Sequence, residues 1–334
     1  MRATVKDVAR LAGVSPKTVS NVITGTVPVS EATRTRVEQA LAELDYVPNL
    51  AARGLRNGRT GVIALALPDL STTFSATMVQ AFVRAAKPRG WNVLVEETTD
   101  AEGEAMLLTR AREHQVDGLV LNPVLLESSA VRQTGPLPPV VLIGEVDQPA
   151  VDHVWVDNPA AVRTLVRALL RSGRRRVAVL GVMNTASSQL RLAGYHQALR
   201  EAGLAPDPCL EVATDAWSIE FGHIAMAGLL RSAHPLPDAV VCFTDSLAIG
   251  AVGALLRAGV RVPEDVAVAG YDDIEEGRYA SPSLSTISFD RREVAEAALD
   301  LLTHRIGDPA APVRVRTVGH RVVARESTGP LELR

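Results

Sequence analysis

The sequence predicts a small all-α head joined to a larger α/β body built on parallel sheets. Three observations carry that expectation. Residues 1–60 read as short amphipathic helices, each opened by a capping residue. From Gly61 onward, apolar runs alternate with helical stretches. The charge divides at the same place: residues 1–60 hold nine Lys and Arg against five Asp and Glu, a balance of +4, while the rest carries −7 within a total of −3. A cationic head on an anionic body implies that the head meets a polyanion and the body does not.

Length and composition set the outer limits. The chain has 334 residues with 47% hydrophobic content, enough for two domains of which one is large. No apolar run reaches the ~20 residues that span a bilayer. The start, MRATVKDVAR, lacks the apolar segment of a signal peptide. The expectation is a cytoplasmic protein with no membrane partner. Cys209 and Cys242 are far apart, with no CxxC and no neighbouring His or Cys, which predicts free buried thiols rather than a disulfide or a metal site.

In the head, a first helix over about Val5 to Ala12 begins at Thr4, with Asp7 three residues on as in a capping box. Gly13-Val14 makes a tight turn. Ser15 caps a second helix with Pro16 at its first position, where the missing N–H costs nothing. Val19, Val22 and Ile23 face inward, leaving Lys17, Thr18, Ser20 and Asn21 outward. Ser30 caps a third helix with the stripe Val37, Ala40, Leu41, Leu44. Two short helices joined by a tight glycine turn form a helix-turn-helix, whose second helix enters the major groove. Such helix pairs also occur in small domains that bind no DNA.

TVKDVARLAGVSPKTVSNVITG, VSEATRTRVEQALAELDYVPN and AARGLRNGRTG together closely resemble the head of the lactose-repressor/galactose-repressor (LacI/GalR) family of bacterial transcription regulators. The match is nearly gapless over about sixty residues, and blocks such as GYDD extend it more loosely through the body. The resemblance implies that Pro16, Lys17 and Asn21 lie where bases are read. It implies phosphate contacts at Thr4, Ser15, Thr18, Ser30 and Thr33. Many members have Arg at the place of Asn21; Arg favours guanine and Asn adenine, so the operator base pair read there differs accordingly.

Between head and body, YVPNLAARGLRNGRTG is too polar for a core helix and too patterned for a plain linker. Pro48 ends the third helix and Asn49 caps a helix of about two turns, marginal alone and weakened by Gly54. The resemblance makes this the hinge helix, formed when two copies pair in the minor groove. Leu55 wedges between base steps, with Ala52 and Arg56 beside it. A plain basic tether is the alternative.

The body reads as buried strands in GVIALALP, WNVLVEE, DGLVLNP, PVVLIGEV and HVWVDN, then in RRRVAVLGV, DAVVCFTD and DVAVAGYDD. Helical stretches such as FSATMVQAFVRAAKPRG and NPAAVRTLVRALLRSG separate them. This is the pattern of parallel sheets covered on both faces, in two rounds of roughly 61–157 and 158–286. The resemblance implies the two-lobed (type I) periplasmic-binding-protein-like fold. The domains expected are a head over 1–47, a hinge over 48–60 and an effector-binding and dimerisation body over 61–334. Within the body, lobe 1 takes about 61–157 and 289–315, and lobe 2 about 158–286 and 318–334.

Ligands of open parallel sheets sit beyond the strand carboxyl ends. Asp69, Phe74, Arg191, Trp217, Thr244 and Asp272 follow such ends. In the family, the positions of Arg191 and Asp272 hold the effector and an aromatic at the place of Trp217 stacks on it. Carboxylate, guanidinium and flat aromatic faces suit a sugar. Thr244 stands where sugar-binding members often have Asn, and Phe289 where some have Gln, so a purine-like corepressor remains an alternative effector. Read without the family, Asp at a strand end is often a helix cap, Asp157 being one example. Phe74 and Trp217 are then ordinary core, and Arg191 a surface residue.

The seven histidines are scattered, and no HExxH, GxSxG or GxxxxGK[ST] occurs. No catalytic residue, metal or cofactor is therefore expected. An enzyme or a transport-type solute-binding protein would share the two-lobed body but would have no use for the cationic head. The function expected is a DNA-binding repressor: a homodimer on a near-palindromic double-stranded operator, controlled by a small-molecule effector of the sugar type.

Overall fold

The computed structural model describes residues 3–25, 27–46, 59–113, 116–123, 131, 137–144, 151–232 and 234–332. The chain divides into two compact units, Met1–Thr60 and Gly61–Arg334.

The first unit holds α1 (Val5–Ala12), α2 (Pro16–Thr24) and α3 (Glu31–Glu43). Val8, Ala9, Ala12, Val19, Val22, Val37 and Ala40 form one small buried cluster, with Ile23, Leu41 and Leu44 packed on it. Thr4 and Asp7 make a full capping box on α1, and Gly13 closes that helix at a φ of 65°, a left-handed position that suits glycine. Three helix starts are therefore set by side chains that leave the apolar stripes free to meet.

The second unit contains two six-stranded sheets. The first is built from β1 (Val62–Leu67), β2 (Asn92–Glu97), β3 (Gly118–Leu121), β4 (Val140–Ile143), β5 (Asp152–Val156) and β11 (Val315–Val318), in the order β11-β5-β4-β3-β1-β2. The second contains β6 (Val177–Val182), β7 (Glu211–Ala213), β8 (Ala239–Cys242), β9 (Ala267–Tyr271), β10 (Ser285–Phe289) and β12 (His320–Val323), in the order β12-β10-β9-β8-β6-β7. Among the described residues every pairing is parallel except β10 with β12.

Each sheet with its helices is one lobe. In the first, Ile63, Leu65 and Leu67 pack towards α4 (Thr73–Ala86) and α11 (Arg291–Gly307). Ala64 and Ala66 point the other way, towards α5 (Ala101–Arg112). That two-residue alternation on a fully buried strand is what coverage on both faces requires. The second lobe carries α6 (Asn158–Arg171), α7 (Ala186–Glu201), α8 (Ile219–Arg231), α9 (Asp245–Arg257) and the short α10 (Glu275–Tyr279). The chain passes between lobes after β5, after β10 and between β11 and β12.

Three sequence readings change. WNVLVEE, expected as a buried strand, is the edge strand β2, with Leu94 43% exposed, because only β1 covers its flank. β7, β10 and β11 were not read as strands, since each is short or rich in Ser, Thr and Arg. Both cysteines are free, but Cys209 is exposed on a surface turn where burial was expected; only Cys242 is buried. Asp157 does cap α6, its carboxylate accepting from the Ala160 N–H at 2.9 Å. Among the described residues no helix is long and apolar enough to cross a membrane.

Candidate functional site

Two sites follow from these elements, one on each unit. In the head, Pro16 and Lys17 are exposed on the first turn of α2, and Asn21 is half-buried one turn further. Thr4, Ser15 and Ser30 are the N-caps of α1, α2 and α3, while the Thr33 hydroxyl accepts from Ser30 and the Thr18 hydroxyl shares a hydrogen bond with Ser15. All five hydroxyls therefore stand at helix N-termini, where N–H groups and the helix dipole favour a phosphate.

They are not equally available. The Thr4 hydroxyl donates to Asp7 Oδ2 at 2.6 Å, and its N–H donates to the same oxygen at 3.0 Å. These two bonds hold the Asp7 carboxyl below its ordinary value. In the Ser15–Thr18 pair at 2.9 Å, and in Ser30–Thr33 at 2.9 Å, one hydroxyl hydrogen of each pair stays uncommitted. The hinge residues Ala52, Leu55 and Arg56 lie outside the described residues, as do Pro48, Asn49 and Gly54.

In the second unit, a cavity of about 590 Å³ lies between the lobes at the strand carboxyl ends. Asp69, Phe74, Arg191, Trp217, Thr244 and Asp272 all stand on its wall. Arg191, far from being a surface arginine, is 7% exposed. Its Nε donates to Asn158 Oδ1 at 2.7 Å, one terminal nitrogen donates to the Phe243 carbonyl, and its guanidinium lies 3.7 Å from the Tyr271 ring centroid. Trp217 stands 5.0 Å from the same guanidinium, anchored by Nε1–H donating to the Gly181 carbonyl at 2.8 Å. Gly181 is required there: its φ is 106°, and a Cβ would meet Leu247 Cδ1 at 2.6 Å.

Asp272 is 3% exposed at the end of β9, with φ of 113°, a backbone position that L-residues rarely adopt. Strain of this kind costs on the order of 1–3 kcal/mol and persists only where the surroundings over-determine it. Here they do. The Asp272 N–H donates to the Ile287 carbonyl at 2.9 Å, and Arg291 donates to the Asp272 carbonyl. Next in the chain, Asp273 accepts from Arg325 at 2.5 Å and from Arg278 at 3.3 Å. Beneath both, the buried Asp245 accepts from Thr286 at 2.6 Å and from the Ile274 N–H at 2.9 Å. Burial pushes the Asp272 carboxyl up to about 6, against the pull of Arg191 and Arg291. Burial, and then the Asp272 charge, push Asp245 well above the carboxylate range.

The other two polar residues are partly used by their own loops. Asp69 accepts from the Ser71 N–H at 2.8 Å and hydroxyl at 2.7 Å, and Thr244 caps α9 through the Leu247 N–H. Phe74 meets Phe289 edge-on at 6.2 Å, Phe289 lies 6.2 Å from Tyr271, and Arg291 sits over both phenylalanines at 5.5 and 5.4 Å. Tyr271, Arg291, Asn158 and Asp245 were not among the predicted site residues. Tyr271, Asn158 and Asp245 adjoin strand-end residues singled out in the sequence, whereas Arg291 reaches the site only through tertiary packing. Among the described residues no group of three His, Cys, Asp or Glu gathers as a metal site.

The comparisons with known proteins match both units. The family described as "Bacterial regulatory proteins, lacI family" matches residues 4–49, and "Periplasmic binding protein-like domain" matches residues 166–328. The chain is 36% identical to the ribose operon repressor of Escherichia coli (strain K12), over 92% of this chain and 94% of that protein. It is 32% identical to the HTH-type transcriptional repressor PurR of Aliivibrio salmonicida, over 98% of this chain and all of that one. Among solved structures, a lac repressor dimer bound to operator and an anti-inducer is similar with a TM-score of 0.87 at 29% identity, covering 98% of this chain and 99% of that one.

Proposed function

The chain belongs to the LacI family of bacterial regulatory proteins, and from that premise we propose a specific division of labour within it. It is a sequence-specific DNA-binding transcriptional repressor whose operator affinity is set by a small molecule in the interlobe cavity. Residues 1–47 bind DNA, 48–60 form the hinge, and 61–334 bind the effector and pair two copies on a near-palindromic operator. Operator DNA places it in the cytoplasm, and it regulates rather than catalyses.

Pro16, Lys17 and Asn21 read bases; Ser15, Thr18, Ser30 and Thr33 hold phosphates, with Thr4 serving mainly to cap α1. Ala52, Leu55 and Arg56 occupy the minor groove. In the cavity, Arg191 and Asp272 bind hydroxyls of a sugar-like effector, and Trp217 and Phe74 cover its apolar faces. Asp69 and Thr244 complete the rim. The observation that carries the reading is the convergence of all six residues on one cavity, with Arg191 and Asp272 both buried in its wall.

Coupling requires only that the effector bind one lobe arrangement better than another, by a typical ~1–3 kcal/mol. The hydrogen bond from the Thr73 hydroxyl to Glu276 at 2.7 Å joins the lobes outside the cavity, so lobe movement has a contact to break. Deletion of residues 1–60 tests the division of labour. Operator binding should vanish while effector binding persists; an operator affinity that survives the deletion contradicts it.

A further inference from the structure

Arg291 stands behind the cavity wall and touches three of the residues that form it. It lines a neighbouring cavity of about 340 Å³ with Thr77, Asp273 and Tyr279, whereas Phe74, Asp272 and Phe289 line the larger one. Its guanidinium lies over the Phe74 and Phe289 rings at 5.5 and 5.4 Å, and a terminal nitrogen donates to the Asp272 carbonyl. Its Nε is buried with no hydrogen-bond partner among the described residues. Two ring faces and one charge-assisted hydrogen bond therefore hold this guanidinium.

That hydrogen bond joins the lobes. Arg291 begins α11, which packs in the first lobe with Phe74 of α4, while Asp272 follows β9 in the second. Asp272 and Asp273 both have positive φ, 113° and 53°. The peptide between them is held at its N–H by the Thr286 hydroxyl at 3.3 Å, a long bond, and at its carbonyl by Arg291. The peptides on either side are secured within the second lobe, by the Ile287 carbonyl at 2.9 Å and by Asp245 at 2.9 Å. Arg325 and Arg278, also of that lobe, hold the Asp273 carboxylate. The grip on the Asp272 carbonyl is thus the one restraint on this turn that comes from the opposite lobe, among the described residues. The rotamers open to a side chain depend on its φ and ψ, so fixing that carbonyl also limits where the Asp272 carboxylate points.

We propose that Arg291 is a positioning residue of the effector site: from the first lobe it holds Asp272 of the second in binding geometry, so Asp272 is set for an effector when the lobes are closed and released when they part. This deepens the assignment of Asp272 to the effector site and rests on it. The other charged groups facing Asp272 are Arg191 on α7 and Asp245 on α9. Both belong to the second lobe and stay with Asp272 when the lobes separate.

The titration of Asp272 itself reads the contact. The full chain, labelled at its aspartate carboxyls, is followed by NMR across pH, with the Asp272 resonance identified by its loss in Asp272→Asn. Arg291 favours the ionised carboxylate. Arg291→Met, checked for folding by thermal melting, should therefore raise the titration by about half a pH unit or more. Arg291→Lys keeps the charge and a donor, and should show less than about half of that shift. Thr73→Val removes the separate bond between the lobes at Glu276 without touching Asp272. Parting the lobes withdraws Arg291, which raises the titration, and admits water, which lowers it; in Arg291→Met only the second operates. The Thr73→Val shift should therefore be more upward in the wild-type background than in the Arg291→Met background. An Asp272 titration unmoved by Arg291→Met, or moved as far by Arg291→Lys, overturns the proposal. So do equal Thr73→Val shifts in the two backgrounds. These titrations contain no small molecule, so a negative result falls on Arg291, while effector binding by the chain lacking residues 1–60 tests the effector site separately.

Discussion

Arg191 stacks face-on against Tyr271, its guanidinium 3.7 Å from the ring centroid, and the residue after Tyr271 is Asp272. One strand end thus fixes the plane of the arginine and places the carboxylate beside it. The contact links α7 to β9 across the second lobe, so the Arg191 and Asp272 proposed to meet the effector are held by the lobe's own core packing. Neither residue can be changed without consequence for both binding and stability.

Arg191→Lys keeps the charge but loses the flat face over Tyr271 and the Nε bond to Asn158. A buried acceptor left without its donor costs about 1–3 kcal/mol. The variant should unfold several degrees lower in thermal denaturation and lose the effector response. Operator affinity without effector should stay within about twofold, because the head is a separate compact unit.

The Asp272 carboxyl, raised to about 6 by burial, gives the body a defined pH response. Between the ordinary carboxylate value near 3.8 and about 6, the folded protein holds a proton that the unfolded chain has released. Stability of the ligand-free protein therefore falls as pH rises through that window and levels above it, by up to about 3 kcal/mol. Asp245, also raised, adds a slope of the same sign. Effector affinity runs the other way: a hydroxyl donates to the ionised carboxylate, so binding strengthens as pH rises through about 6. Asp272→Asn should flatten the binding profile and reduce the stability slope, measured by calorimetry and chemical denaturation from pH 5 to 8.

Much of this was legible in the sequence. Thr4 with Asp7, Ser15 before Pro16, and Ser30 before Glu31 are local signals, and local signals become caps. Buried strands such as VIALAL are readable because coverage on both faces demands unbroken apolar runs. The edge strands β7 and β11 escaped because an edge tolerates polar residues and shortness. Within the cavity, strand-end position singled out Asp272 and Thr244. It could not single out Arg291, which lies near the start of α11 and reaches Asp272 only because β10 pairs with β9. Nor could it show that Asp245 sits under the 272–274 turn, 27 residues away in the chain from Asp272.

The α8–α9 contact offers a paired test of packing. A Cβ on Gly250 would lie 2.0 Å from the Ile219 carbonyl oxygen, whereas one on Gly228 meets nothing within 4 Å. Gly250→Ala must push two helices apart and should cost at least about 1–3 kcal/mol. Gly228→Ala, inside α8, should be neutral or stabilising by up to about 1 kcal/mol. Thermal melting of the two variants checks the difference.

The caps of the head separate structure from DNA contact. Thr4 has its hydroxyl hydrogen committed to Asp7, so Thr4→Ala should weaken operator binding only through α1 and leave the salt dependence unchanged. Ser30→Ala removes a cap, worth about 1 kcal/mol, and the donor that orients the Thr33 hydroxyl, so it should weaken operator binding more than Thr4→Ala. Lys17→Ala should cost about 1–3 kcal/mol at one base pair of the operator and relax discrimination there. Anisotropy titrations over a salt series distinguish the three.

Sequence-specific operator binding by the full chain is the property on which repression depends. A site enriched from a random DNA library is titrated by anisotropy beside a scrambled duplex of equal length and at equal salt. A repressor of this kind should prefer the enriched near-palindromic site by about 10³-fold or more. Equal affinity for the two duplexes, or enrichment of no common site, would contradict it.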